Sequence, residues 1–202
     1  MAGEDADIID LYERHALGFD ALRGRTLFEK PWLDRFRAMM PPRGHVLDLG
    51  CGAAEPIAGT LIREGYRLTG VDSSQTLIGL ARERFPGVGW YHADMRQFYI
   101  PTKFDGIIAW HSFFHLNPDD QREMFRRFAV MTAPGAALMF TSGHFEGVAM
   151  GEFGGEPLYH ASLSAREYAE LLGKNRFDLV AHKAQDPQCG GATIWLARRR
   201  DA

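Results

Sequence analysis

The segment from His45 to Ser74 constrains the fold of this chain more than any other part of the sequence. An apolar run over 45–49 is followed by the turn Gly50-Cys51-Gly52, a helix-like segment over 55–64, and a second apolar run over 67–71 that ends at Asp72. This order of strand, glycine turn, helix, strand and acid is typical of a doubly wound α/β domain. Such a domain binds an adenosine-containing cofactor across the carboxyl ends of its strands.

The residues around the turn indicate which cofactor fits. Gly50 and Gly52 carry no Cβ, so the backbone can approach a ligand closely, and Asp72 follows about 20 residues later, where a carboxylate can accept both hydrogen bonds of a ribose diol. A dinucleotide fingerprint would need glycine at 55, where Glu55 would face a pyrophosphate. Asp48 before the turn and Asp72 after it suit a positively charged cofactor without phosphate, a description that S-adenosylmethionine fits.

Five stretches resemble the class I S-adenosylmethionine-dependent methyltransferases of small-molecule type. They are VLDLGCG at 46–52 (motif I), GVDSS at 70–74, ADM at 93–95, FDGIIAW at 104–110 and APGAAL at 133–138. The resemblance covers roughly residues 45–141. One departure is Ala54, which stands where the family often has a third glycine, so the affinity for the cofactor is left open.

The resemblance implies a set of cofactor-binding residues in the turn and just after the strands, namely Asp48, Gly50, Cys51, Gly52, Asp72, Ser73, Asp94, Met95 and Trp110. In such enzymes the acid after the second strand holds the ribose. The acid after the third strand accepts from the adenine amino group, and the next residue packs on the ring. Local chemistry leaves other readings open: Asp48 as a turn cap, Asp72 as a helix N-cap, Asp94 as a loop carboxylate and Trp110 as core.

His111 and His115 are the candidate catalytic residues. They follow the fourth predicted strand, beside the expected position of the cofactor, and their spacing places both on one face if the segment is helical. A histidine with an ordinary pKa near ~6.5 suits a general base. An acceptor that is already nucleophilic would need no base, and the histidines would then shape the pocket or serve the structure. No third ligand accompanies this pair, so no metal site is predicted.

The candidate substrate-binding residues come from both ends of the chain: Tyr12, Trp32, His144, Tyr159 and His160. Amphipathic helices predicted over 7–15 and 26–40 would form a lid, although core packing explains their aromatic residues equally well. The glycine-rich stretch over 143–155 is predicted to be a flexible loop on the acceptor side.

The alternation of apolar runs and helical segments predicts a Rossmann-like α/β fold. We expect a seven-stranded, mostly parallel, doubly wound sheet with a C-terminal antiparallel strand pair and helices on both faces. One methyltransferase domain would span 1–202, with a helical lid over 1–43, a cofactor-binding core over 44–142, and a substrate-side loop with the last strands over 143–202.

Composition excludes several partners. The net charge of −3 and the pI near 6.2 disfavour a nucleic-acid surface, and two cysteines cannot build a disulfide framework. No apolar run approaches the ~20 residues that span a bilayer, and the acidic N-terminus does not resemble a signal peptide. The expectation is a cytoplasmic protein without membrane contact, as a monomer or homodimer.

The leading hypothesis is therefore methyl transfer from S-adenosylmethionine to a small-molecule acceptor, with S-adenosylhomocysteine as product. The methyl group would move by in-line displacement, and a histidine could serve as general base. A non-catalytic S-adenosylmethionine-binding sensor or scaffold is the alternative. A nucleoside-using oxidoreductase is a third hypothesis, which Glu55 disfavours.

Overall fold

The computed structural model describes residues 7–201, so residues 1–6 of the expected lid lie outside the described part. Three short helices come first: α1 Asp7–Arg14, α2 Ala16–Leu22 and α3 Lys30–Arg37. The helix predicted over 26–40 thus begins only at Lys30, because Pro31 is tolerated in a first helical turn and not further inside. The helix predicted over 7–15 ends one residue earlier, and α2 was not predicted separately.

Alternating strands and helices follow in the predicted order. They are β1 His45–Leu49, α4 Ile57–Arg63, β2 Arg67–Asp72, α5 Gln75–Arg84, β3 Gly89–His92, β4 Phe104–Ala109, α6 Pro118–Met131 and β5 Thr132–Ser142. After them come β6 Gly147–Phe153, β7 Glu156–Ser162, α7 Ala165–Lys174, β8 Phe177–Asp186 and β9 Ala192–Arg199. A single 3₁₀ turn, Phe113–His115, lies between β4 and α6.

The main sheet has seven strands in the order β3-β2-β1-β4-β5-β9-β8. Strands β1 to β5 pair in parallel, whereas β9 is antiparallel to both β5 and β8. The predicted Rossmann-like fold with its C-terminal antiparallel pair is therefore confirmed. The strand order reverses between β1 and β4: β2 and β3 follow on one side, and β5 follows on the other. Sheets of this type open a crevice at such a point, at the carboxyl ends of the strands.

Two apolar clusters cover the two faces of the sheet. Val46 of β1 belongs to one cluster, together with Phe36 of α3 and Leu61 of α4, while Leu47 belongs to the other, together with Phe125 of α6. Successive strand residues point to opposite faces, so one apolar strand contributes to both cores. The central strands are fixed from both sides, and the loops at their carboxyl ends are held in place.

The stretch over 143–155 is not the flexible loop that was predicted. Most of it forms β6, which pairs with β7 in a separate two-stranded antiparallel sheet. The turn between them is Gly154-Gly155, with φ of +62° and +82°, and two central residues of positive φ are the mark of a hairpin whose twist matches its strands. The glycine content therefore serves a tight turn.

Among residues 7–201 no helix is both long enough and apolar enough to cross a membrane.

Candidate functional site

The glycine turn lies at the carboxyl end of β1, against the segment that follows β4. Gly50 has φ of +76°, and a Cβ there would lie 2.2 Å from the Cβ of Ser112. Ser112 is fixed in turn because its hydroxyl donates to the carbonyl of Leu49 at 2.6 Å. Only glycine can occupy position 50 without displacing this neighbour.

Ala54 also has a backbone in the left-handed region, with φ of +73°. This conformation costs a residue with a Cβ about 1–2 kcal/mol relative to the right-handed one. The alanine in place of the family's glycine therefore introduces backbone strain in the turn. Ala54 is buried, and its carbonyl accepts a hydrogen bond from the N–H of Gly59 at 2.7 Å.

Asp72, at the end of β2, ties the turn to the next helix. Its Oδ2 accepts from the backbone N–H of Gly52 at 2.8 Å, and its Oδ1 accepts from that of Ser74 at 2.9 Å. The N-cap of α5 is Ser74, whose hydroxyl accepts from Leu77, so Asp72 is not itself the cap. Each carboxylate oxygen keeps a second lone pair. Burial raises the pKa of Asp72, while the two backbone donors oppose that rise.

Asp48 lies on β1, buried beneath the turn. Its pKa is raised to about 7, first by desolvation and then by the nearby charge of Asp72, while Arg23 acts in the opposite direction. A carboxyl group with a pKa of about 7 is partly protonated at neutral pH. A cation bound beside it would favour the ionised form.

Among residues 7–201, three cavities open at the carboxyl ends of the strands. The strand-end cavity, of about 100 Å³, is lined by residues after β2 and β3, including Asp72, Ser73, Asp94 and Met95. The turn cavity, of about 280 Å³, is lined by Asp48, the glycine turn and Trp110. The hairpin cavity, of about 300 Å³, lies beside the β6–β7 hairpin and includes His144 and His160.

The cavities meet at a few shared residues. Gly50, Gly52, Tyr12 and His115 line both the strand-end cavity and the turn cavity, and His111 lines all three. A ligand extended across the first two would therefore pass His111 on its way to the third.

The residues after β3 form a charged group in the strand-end cavity. Asp94 accepts from the backbone N–H of Arg96 at 2.8 Å and from its Nε at 2.8 Å, and Arg96 also donates to Asp120 at 2.9 Å. The carboxylate is thus held in one orientation beside Met95. Arg96 was not among the predicted site residues.

Helices α1 and α2 cover the site through polar contacts. The carboxylate of Glu13 accepts from Ser74 and Thr76 at the start of α5, where the helix dipole favours an anion. Asp20 accepts from Arg84 at 2.7 Å at the other end of the same helix. Both helices lie within the segment 1–43 for which the sequence predicts a lid.

Tyr12 and His115 connect this cover to the site. The two ring nitrogens of His115 lie 2.9 Å from the carbonyl oxygen of Tyr159 and 3.0 Å from the hydroxyl of Tyr12. Because a carbonyl can only accept, Nδ1 carries the proton and Nε2 accepts from Tyr12. Burial lowers the pKa of His115 to about 3, so its ring is neutral near neutral pH.

His111 is held in a different way. Its backbone has φ of +52°, and its N–H donates to the hydroxyl of Thr141 at 2.8 Å. The ring is open to the cavities yet enclosed by protein around them, and this enclosure lowers its pKa to about 4. Within residues 7–201 its ring nitrogens make no hydrogen bond, so they remain available to a ligand.

Two of the predicted substrate-binding residues lie elsewhere. Trp32 is buried in the core, where its indole N–H donates to Asp186 at 2.8 Å, and it lines none of the three cavities. The Tyr159 side chain packs with Ile8 of α1 and lines none of them either, although its carbonyl holds His115. Both side chains occupy core positions in this structure, and the apolar pattern that predicted a pocket is equally the pattern of a core.

Arg23 is a site residue that sequence reasoning missed. It lines the turn cavity, and its guanidinium donates to Glu29 at 2.6 Å; the Glu29 side chain has no exposed surface. The ring of Phe28 lies 5.8 Å from the guanidinium carbon. No spacing rule marks Arg23, because it comes from the irregular segment between α2 and α3.

Within 7–201 no group of three or more histidine, cysteine or carboxylate side chains is arranged to hold a metal ion.

The sheet order, the glycine turn and the acid after β2 are the arrangement expected of a class I methyltransferase fold, and comparison with known proteins finds relatives of that kind. Residues 46–135 match the family described as "Methyltransferase domain". The trans-aconitate 2-methyltransferase of Rhodopseudomonas palustris (strain BisA53) is 28% identical over 177 residues, 85% of this chain and 64% of that protein. The matches cover 54%, 64% and 43% of three curated relatives, so the chain spans about half of their length.

Solved structures show the same fold. The Burkholderia thailandensis 1,6-didemethyltoxoflavin-N1-methyltransferase, with bound 1,6-didemethyltoxoflavin and S-adenosylhomocysteine, gives a TM-score of 0.76 at 20% identity, over 100% of this chain and 92% of that one. An S-adenosylmethionine-bound amino pentose methyltransferase from Micromonospora echinaspora gives 0.70 at 18% identity, over 94% and 96%. The chain therefore has this fold along its whole length, and its residues 46–135 match the methyltransferase domain family.

Proposed function

We propose that this chain transfers a methyl group from S-adenosylmethionine to a small-molecule acceptor by in-line displacement. The observation that carries the proposal is the meeting of the three cavities at His111. Two of them surround the glycine turn and its carboxylates, and the third offers separate space for an acceptor. In domain terms, 1–43 would act as the lid, 44–142 would hold the cofactor and 143–202 would border the acceptor.

The residues present fit the cofactor. Asp72 keeps a lone pair on each oxygen for the ribose diol, and Asp94 with Met95 would hold the adenine in the strand-end cavity. In the turn cavity, Asp48 would favour the cationic end of the methionine part. Arg23, anchored by Glu29, would favour its carboxylate. Gly50, Cys51, Gly52, Ser73 and Trp110 would complete the walls.

When bound, the cofactor supplies a methyl group on a sulfonium, which is already an activated leaving group. The work left to the chain is to exclude water, to align the acceptor and to take up a proton if the acceptor releases one. Helix α1 would exclude water through Tyr12 and Glu13, and helix α2 would do so through Phe19, which lines the strand-end cavity and the turn cavity. The hairpin cavity would align the acceptor beside His111.

Of the two candidate catalytic histidines, His111 is the better placed for a base. Both ring nitrogens of His115 are engaged, so we assign His115 to positioning the lid through Tyr12. His111 is neutral near neutral pH because of its lowered pKa, so one of its two ring nitrogens can accept a proton. His144 and His160 would contact the acceptor from the hairpin side.

The other two hypotheses have less support. A sensor or scaffold would bind the cofactor but no methyl acceptor. The hairpin cavity would then have no function. The nucleoside-using oxidoreductase, with NAD as its cofactor, would place a pyrophosphate near Glu55, which lines the turn cavity and pairs with Arg63. An anion there opposes a second anion.

The ribose assignment is tested by Asp72→Asn, with Asp105→Asn as the matched control. Both carboxylates accept from a backbone N–H, since Asp105 accepts from His45 at 2.8 Å, yet Asp105 lies at the opposite end of the sheet. Titration calorimetry with S-adenosylhomocysteine should show at least about tenfold weaker binding for Asp72→Asn, because hydrogen bonds to a charged group contribute about 1.5–3 kcal/mol. Asp105→Asn should bind as the parent does. Equal affinity in all three proteins would overturn the assignment.

A further inference from the structure

The hairpin cavity is built mainly from aromatic rings and small residues. Phe114 and Phe145 line it together with three imidazoles, those of His111, His144 and His160. Its volume is about 300 Å³. An apolar cavity of about 150 Å³ can hold benzene, so this one has room for a molecule of one or two rings.

The cavity carries no fixed charge. Among the described residues 7–201, no aspartate, glutamate, lysine or arginine lines it. Burial lowers the pKa of both His111 and His160, so these imidazoles stay neutral near neutral pH. An acceptor with a carboxylate or phosphate would leave water there without a counter-charge, which is costly.

Two of the three hydroxyl groups of the cavity already both donate and accept a hydrogen bond, and the third accepts one. Ser142 donates to the carbonyl of Gly143 and accepts from Trp195, and Ser162 donates to its neighbour's carbonyl and accepts from Gly143. Thr193 accepts from the backbone of Gln185 at 3.2 Å.

The imidazoles are not committed in this way. In the described part of the chain, the ring nitrogens of His111, His144 and His160 make no hydrogen bond. A neutral imidazole offers one donor and one acceptor. Polar recognition of the acceptor therefore falls mainly to these three rings, with the O–H of Thr193 as a further donor. Phe114 and Phe145 offer faces on which a flat molecule can stack.

We propose that the methyl acceptor is an uncharged, flat aromatic or heteroaromatic molecule of one or two rings that bears its own O–H or N–H. This inference rests on the proposed function. The acceptor's lone pair forms the new bond to the methyl carbon while the S–CH₃ bond breaks and its electron pair stays on sulfur. The O–H or N–H proton passes to a neutral imidazole of the cavity, and from there to water.

The test compares binding of two probes of equal ring size, 2-naphthol and 2-naphthoate. Ligand-observed NMR titrations are made with the whole chain, alone and with S-adenosylhomocysteine, whose own binding is measured separately by calorimetry. We expect 2-naphthol to bind at least about tenfold more tightly than 2-naphthoate, because only the second carries a formal charge into the cavity.

A charge-reversing variant makes the comparison sharper. His144→Lys adds a cation to the lining and should shift the preference toward 2-naphthoate by at least about tenfold. Val148→Lys is the matched control. Gly147 and Ala149 line the cavity, and successive side chains of a strand point to opposite faces, so Val148 lies on the other face of β6, where it is 52% exposed. It should leave the preference unchanged.

Each contrary outcome has its own meaning. Equal binding of the two probes by the parent, or binding of neither while S-adenosylhomocysteine binds, would overturn the acceptor class and leave methyl transfer standing. An equal shift in His144→Lys and Val148→Lys would refute the role of the cavity lining. Failure of S-adenosylhomocysteine to bind would overturn the proposed function, and the acceptor class with it.

Discussion

Lowering the pH from about 7.5 to about 5 should destabilise the folded chain through His115. This ring is 8% exposed and neutral, with Nδ1 donating to the carbonyl of Tyr159 and Nε2 accepting from Tyr12. A proton added at Nε2 would make the Tyr12 hydroxyl the acceptor in place of the donor, and it would leave a charge on a buried ring. The folded chain therefore opposes protonation of His115.

The magnitude follows from the difference in pKa between the two states. The pKa of His115 is about 3 in the folded chain and near ~6.5 when unfolded, so the unfolded chain takes up the proton first as the pH falls. The contribution of neutral His115 to stability is complete above ~6.5 and is lost progressively toward 3. At pH about 5 the loss from this one group amounts to about 2 kcal/mol.

The assay is urea unfolding at both pH values, for the parent and for His115→Gln. A glutamine can still donate to Tyr159 and accept from Tyr12, but it does not titrate. We expect the parent to lose about 2 kcal/mol more than His115→Gln between the two pH values. Carboxylates that titrate in this range do so in both proteins and cancel in the difference.

The control is His144→Gln, which removes a histidine from an exposed position that makes no hydrogen bond in the described part of the chain. It should lose as much stability as the parent. If the parent and His115→Gln lost the same free energy of unfolding, His115 would not be buried as a neutral group, and its role in holding α1 would be wrong.

Two further predictions concern the glycine turn. Gly50→Ala should lower the free energy of unfolding by more than about 2 kcal/mol, because it combines positive φ with a Cβ placed 2.2 Å from that of Ser112. Adding Ser112→Gly should recover part of this loss. If urea unfolding showed no recovery, the contact would be refuted. Ala54→Gly should be neutral or stabilising by up to about 1 kcal/mol, because relief of the positive φ offsets the entropy cost of glycine. Ala53→Gly, a buried neighbour without positive φ, should destabilise by about 0.5–1 kcal/mol, and equal losses in the two variants would contradict the argument.

The fold could be predicted from the sequence because local and global signals agree in its central part. The runs that form β1 and β2 place apolar residues on both faces, with Val46 next to Leu47 and Gly70 next to Val71, which is how strands buried on both faces read. The turn between β1 and α4 has glycine at 50 and 52, where φ is positive. Asp72 is the last residue of β2 and accepts a hydrogen bond from Gly52 in this turn. Each of these features depends on neighbours in sequence.

The other features depend on tertiary contacts or on the exact turn sequence. Trp32 has the same amphipathic setting whether it faces a ligand or the core, and its contact with Asp186, 154 residues away, belongs to no local pattern. The hairpin carries a local signal in the turn Gly154-Gly155, but glycine content alone predicts a flexible loop there. Arg23 depends on Glu29 and on the shape of the turn cavity, which no spacing reveals.

Titration calorimetry of the whole chain with S-adenosylmethionine, S-adenosylhomocysteine and NAD tests the central claim most directly. The glycine turn with Asp48, Asp72 and Arg23 predicts micromolar binding of both adenosyl compounds, about −8 kcal/mol, and no binding of NAD. Absence of binding by both adenosyl compounds, or tighter binding of NAD, would contradict the cofactor assignment on which the proposed methyl transfer depends.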